Sequence, residues 1–142
     1  KVDFISVGSN DLTQYLLAVD RNNPRVAGLY APYHPAVLKV LHFIAQEARK
    51  EHKPVSICGE MAADPGGALL LMAMGYDVLS MNSNNLPKVK SAIRGTSLAK
   101  ANALLQRVMR MDDADAIHHY LRTSLKSMGL GNLTRPVLPG RD

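Results

Sequence analysis

The sequence has no tryptophan, two phenylalanines and one cysteine, and its longest apolar run, ALLLMAM (68–74), is short. Each shortage removes a class of protein. A run of that length cannot cross a bilayer, which takes about 20 apolar residues, so no membrane role is expected. A single thiol has no partner for an internal disulfide, which suits a reducing compartment and points to the cytoplasm. Aromatics at 5% of the chain leave little for stacking on bases. The net charge of +5 would otherwise suggest nucleic acid. The basic residues, however, fall toward helix C-terminal turns (Arg49, Lys50 and Lys53; Arg94; Arg107 and Arg110; Lys126), where they complement the helix dipole. A solvated basic surface accounts for the charge, and no nucleic-acid partner is expected.

What is present is the make-up of one globular domain: 46% hydrophobic residues, 20% charged and no low-complexity tract over 142 residues, enough to bury a core. The chain opens on KVDFISVG, a strand already under way without an initiator methionine. It is therefore expected to be a piece of a longer protein.

Phe4 to Val7 is a β-prone run that breaks at Gly8 into Ser9-Asn10-Asp11, read as a polar turn, with a helix over Thr13 to Val19. RNNPR (21–25) reads as loop, because proline disfavours helix at the residue before it. His34-Pro35 opens a helix in which Val37, Leu38, Leu41, Ile44, Ala45 and Ala48 form one stripe, ending in RKEHK. Pro54 to Ile57 is a second strand ending at Cys58. Asp64 and Pro65 start a helix that is apolar on most sides and stops at Gly75. Val78 to Met81 makes a third strand, Leu86 to Arg94 a helix, Ser97 caps Leu98 to Met111, and Asp112 or Asp113 starts a last helix to Met128. The tail GNLTRPVLPGRD (131–142) reads as a flexible extension. Strand and helix alternate three times without a hairpin signal, which predicts an α/β fold with a parallel sheet, followed by two helices.

In such a sheet the loops after the strands gather at one edge, the usual place for chemistry. Asn10 and Asp11, Cys58 to Glu60, and Asn82 all take that position. A lone cysteine is ordinarily a small buried hydrophobe and Asn-Asp ordinarily a turn. Here they are expected side by side.

FISVGSNDLTQYLLAVDRNN, SICGEMAADP and GYDVLSMN, in that order, resemble the C-terminal part of enzyme I of the bacterial phosphotransferase system, the phosphoenolpyruvate-protein phosphotransferases. AVDRNN, RVA and LSMN resemble the nitrogen-regulatory branch in particular. The resemblance implies the last part of a phosphoenolpyruvate-binding (β/α)8 TIM barrel over residues 1–130, about three βα units of it. It also implies Mg2+ as cofactor. By motif position Asp11 would ligate the metal, Asn10 and Arg21 would hold the phosphate or carboxylate of phosphoenolpyruvate, and Cys58 would protonate the enolate carbon. The residue types suit these roles. Magnesium takes hard oxygens, and arginine offers a planar fork for phosphate or carboxylate. A free thiol, with a pKa of about 8.5, is mostly protonated at neutral pH, as a proton donor should be. Glu60 would orient that thiol, complete a hydrogen-bond network, or simply start a helix.

The family passes phosphate to a histidine on another domain and then to an HPr-like phosphocarrier protein, and it dimerises through the barrel. None of the five histidines here matches the phosphorylated one, and all five read as packing or surface residues. Ser9 stands where the sugar branch usually has threonine. Without the rest of the barrel, the second acidic metal ligand and the upstream arginines, this stretch alone is expected to be catalytically silent and to self-associate through unpaired strand edges. Two alternatives remain open at this point: a barrel fragment of a pyruvate phosphate dikinase or phosphoenolpyruvate synthase, and a non-catalytic dimerisation or regulatory module with an inert Cys58.

Overall fold

The computed structural model describes residues 1–134. Three short strands, β1 (Ile5–Gly8), β2 (Val55–Cys58) and β3 (Val78–Ser80), form one parallel sheet in the order β1-β2-β3. Register pairs Ile5 with Val55, Gly8 with Cys58, and Cys58 with Ser80. The three strands therefore end in one row, Gly8, Cys58 and Ser80.

Seven α-helices complete the described residues: α1 (Ser9–Leu17), α2 (Pro35–Lys50), α3 (Glu60–Ala63), α4 (Pro65–Met74), α5 (Leu86–Arg94), α6 (Leu98–Val108) and α7 (Ala114–Ser127). Helix α2 buries Val37, Leu38, Leu41, Ala45 and Ala48, the stripe its periodicity predicts, and His34 caps it by accepting the Ala36 N–H through Nδ1 at 3.1 Å. Helix α4 is buried along most of its length and packs against α2, α3, α5, α6 and α7, so an all-apolar sequence meets protein on nearly every side. Asp64 caps its first turn and Gly75 ends it at φ 98°, a left-handed conformation that suits glycine. Ser97 and Asp113 cap α6 and α7 by accepting the N–H of Lys100 and Ala116.

The two faces of the sheet differ. Val7, Val55 and Ile57 point into the core with the helices, while Ser6, Ser56, Cys58, Val78 and Ser80 alternate onto the other face and are half-buried or exposed. Parallel sheets are usually covered on both faces. Here, among the described residues, the helices cover one.

Four sequence expectations need correction. The Ser9-Asn10-Asp11 stretch is the first turn of α1, which runs over Ser9–Leu17 instead of 13–19. Gly8 is extended and acts as N-cap, Thr13 Oγ1 donates to the Ser9 carbonyl at 2.8 Å, and Ala18 at φ 53° closes the helix early. The polar residues after Cys58 do not stay in a loop, because Glu60–Ala63 makes one helical turn. The third strand stops at Ser80 and α6 at Val108, short of Met81 and Met111. Gly131–Thr134, at the start of the stretch expected as a tail, forms a 3-10 turn, and Leu133 packs on the core. The rest of that tail, 135–142, lies outside the described residues.

Candidate functional site

The row Gly8, Cys58, Ser80 places the segments that follow each strand at one edge. There Asn10, Cys58, Gly59, Glu60, Asn82 and Asn85 line an open cavity of about 440 Å³. Cys58 is exposed on the uncovered face of the sheet, so the core-hydrophobe reading of a lone cysteine does not apply.

Close packing behind the cavity aligns β2 with α1. Ser9, nearly fully buried, donates its hydroxyl to the Cys58 carbonyl at 2.9 Å. Gly59 follows at φ 115°, where a Cβ would lie 2.2 Å from Ser9 Oγ and 3.2 Å from Asn10 Oδ1. Only glycine combines that backbone angle with that approach.

The Asn10 carboxamide is held from two sides through one atom. Its Oδ1 accepts from the Tyr30 hydroxyl at 3.1 Å and from the Glu60 N–H at 3.3 Å. Arg21 reaches the same edge from the loop after α1 and pairs through Nη1 with Glu60 Oε1 at 3.3 Å. With the two side chains 38% and 67% exposed, that pair contributes at most about 1 kcal/mol. Burial raises the Tyr30 phenol above its ordinary range, with the Glu60 carboxylate adding to the effect. Arg21 also lies close enough to the Tyr30 phenol to offset part of the rise in its pKa.

Of the residues singled out from sequence, Asn10, Cys58, Glu60 and Asn82 line one cavity, and Arg21 joins them through Glu60. Glu60 contacts Arg21 and Asn10, and no hydrogen bond joins it to the thiol among the described residues. Asp11 is adjacent in sequence but not a lining residue. Its carboxylate is exposed and folds toward Gly8, where a Cβ would stand 3.3 Å from Oδ2. No group of three His, Cys, Asp or Glu side chains able to hold a metal occurs among the described residues. Asp11 thus supplies one hard oxygen donor without a protein partner, which fits a share in a magnesium site and not a whole one.

Tyr30 was missed. It lies in an aperiodic loop 20 residues from its partner, and no local pattern signals that contact. The Gly66-Gly67 helix start is not open to an anion, because the Asp64 carboxylate already accepts the Gly67 N–H at 2.9 Å. His118 stacks on Tyr33 with ring centroids 5.5 Å apart, a packing role. No helix among the described residues is long and apolar enough to span a membrane.

A thiol, a carboxamide, a guanidinium and carboxylates gather at the carboxyl ends of parallel strands, which defines an α/β domain with a polar site at one sheet edge. The family described as PEP-utilising enzyme, PEP-binding domain, matches residues 1–98, and the chain belongs to that family. It is similar to a protein of Salmonella typhimurium named phosphoenolpyruvate-dependent phosphotransferase system, 44% identical over 95% of this chain and 18% of the relative. It is also similar to a phosphoenolpyruvate-protein phosphotransferase of Buchnera aphidicola subsp. Acyrthosiphon pisum, 43% identical over 78% of this chain and 19% of the relative. The enzyme of that name from Bacillus subtilis is 35% identical over 89% of this chain and 22% of the relative. The chain spans about a fifth of the length of these relatives.

Proposed function

We propose that this chain is the C-terminal portion of the phosphoenolpyruvate-binding barrel of a phosphoenolpyruvate-protein phosphotransferase of the nitrogen-regulatory branch, acting in the cytoplasm. The observation that carries the reading is the convergence of Asn10, Cys58 and Glu60 on one cavity with Arg21 tied to its rim. The uncovered, partly polar sheet face supports the barrel, since closing eight strands would turn that face inward. On this reading residues 1–130 belong to the barrel. The longer protein forms a homodimer and hands phosphate to an HPr-like phosphocarrier.

In the reaction Arg21 and Asn10 grip the phosphate or carboxylate of phosphoenolpyruvate by charge-assisted and neutral hydrogen bonds. Asp11 would share in holding Mg2+, which when bound offsets phosphate charge. The P–O bond to the enol oxygen breaks, the phosphoryl group passes to a histidine of another domain, and the bonding electron pair stays on the enolate. The enolate carbon then takes the proton from Cys58 Sγ, giving pyruvate. The exposed thiolate regains a proton from water.

The residues present make part of an anion site, and an anion needs most of its donors together. The isolated chain is therefore inactive. In the full-length protein, Cys58→Ala should abolish pyruvate formation coupled to histidine phosphorylation while phosphoenolpyruvate still binds. Full turnover in that variant would leave the non-catalytic reading in place.

A further inference from the structure

We infer that Tyr30 is a positioning residue: its hydroxyl fixes which way the Asn10 carboxamide faces, so that the NH2 group is presented to a bound anion. The inference rests on the reading of the site given above and names the element that organises it.

An asparagine side chain has an accepting end and a donating end of nearly the same shape, and rotation by half a turn exchanges them. An anion is held only by the donating end. At Asn10 two donors, the Tyr30 O–H at 3.1 Å and the Glu60 N–H at 3.3 Å, converge on Oδ1. Turning the amide over would set its NH2 against the Glu60 N–H, which cannot accept, and would force the Tyr30 hydroxyl to give up its role as donor. The orientation is thereby selected, and Nδ2 is left without a partner among the described residues at the edge of a cavity that Asn10 lines.

Each donor is itself placed by the fold. The Glu60 N–H is the start of α3, set by the Gly59 backbone at φ 115°. Tyr30 closes the 3-10 turn Ala27–Leu29, its own N–H donating to the Ala27 carbonyl at 3.1 Å. That turn carries the hydroxyl back across the loop to α1. Burial and the Glu60 carboxylate both oppose ionisation of the phenol, so it keeps the proton that it donates to Asn10. Tyr30 never needs to touch substrate. It acts through Asn10, as a second hydrogen-bonding layer orients a ligating side chain.

The test is a double-mutant cycle in the full-length phosphotransferase, with Tyr30→Phe, Asn10→Ala and the pair, reading KM for phosphoenolpyruvate and kcat for pyruvate formation. Removing one neutral hydrogen bond should raise KM about three- to tenfold in Tyr30→Phe. The turnover number should change less than about twofold, since no group at the reacting carbon is lost. In the Asn10→Ala background the same substitution should have no further effect, because the residue it orients is gone. An equal KM change in both backgrounds, or none in Tyr30→Phe while Asn10→Ala weakens binding, overturns the role of Tyr30 alone. If Asn10→Ala leaves KM unchanged, the site itself is misread and the inference falls with it. Phenylalanine keeps the ring, so thermal melting of Tyr30→Phe close to that of the parent is expected and confirms that the kinetic change is not a folding defect.

Discussion

The Ser9 hydroxyl donates to the Cys58 carbonyl at 2.9 Å, joining the first turn of α1 to the last residue of β2. The bond is long-range in sequence and partly buried, and it sets where the thiol stands relative to Asn10, one residue after Ser9. Any change that separates α1 from the end of β2 should therefore be felt in the site before it is felt in the core.

Gly59→Ala is the sharpest such change. A methyl group there would sit 2.2 Å from Ser9 Oγ and 3.2 Å from Asn10 Oδ1, on a backbone at φ 115°. Strain at a residue of this kind costs about 1–3 kcal/mol. We expect the melting temperature of the chain to fall and, in the full-length protein proposed above, phosphoryl transfer to be lost with it. Wild-type stability by urea titration, measured on Gly59→Ala, would contradict the packing described.

Cys58 lies on the exposed face and carries no core contact to lose. Cys58→Ala should change stability by less than about 0.5 kcal/mol, the usual range for a surface position. The folded chain should be alkylated by iodoacetamide nearly as fast as a small thiol at the same pH. Protection that disappears only on unfolding would place the sulfur in the interior.

Two tyrosines, Tyr76 buried and Tyr33 partly buried, set the response to alkali. Tyr33 donates to Asp64 Oδ2 at 2.5 Å, and burial first, then the Asp64 carboxylate, raise its pKa well above the ordinary 10.0. Tyr76 donates to the Leu41 carbonyl at 3.1 Å and is raised by burial alone. In the unfolded chain both phenols ionise near pH 10.0, whereas in the folded chain they stay protonated. Above that pH the unfolded state binds fewer protons, so stability is intact below about pH 10 and falls as pH rises beyond it. Tyr33→Phe and Tyr76→Phe should each flatten that fall in pH-dependent urea titrations. An identical slope in both variants would show that neither phenol is protected.

Much of this was legible locally. His34-Pro35, Asp64-Pro65, Ser97 and Asp113 each mark a helix start by a side chain that accepts a backbone N–H within its own turn, and all four do so. The strand–helix alternation likewise led to the parallel sheet and to the gathering of Asn10, Cys58 and Asn82. Ser9-Asn10-Asp11 was misjudged because those residue types serve a turn and a first helical turn equally well. Helix α3 has four residues, too few to show a period. Tyr30 was beyond reach for a different reason. Its hydroxyl meets Asn10 through tertiary folding of a loop, and composition carries no trace of such a meeting.

The strand edges lead to the last prediction. β1 and β3 are the outer strands of the sheet, each with one edge unpaired among the described residues. Exposed apolar side chains flank them: Phe4, 65% exposed, stands just before β1 and Val78, 53% exposed, opens β3. An unpaired edge presents a row of free N–H and C=O groups, and apolar neighbours make it a template for a second chain. The isolated chain should therefore self-associate, its mean mass by light scattering rising with concentration. Val78→Lys puts a charge at one such edge on the uncovered face, where it replaces little core packing and opposes strand addition. That variant should shift the mass toward monomer without lowering the melting temperature by more than a few degrees. A wild-type chain that stays monomeric across a hundredfold range of concentration would mean that these edges are protected in solution.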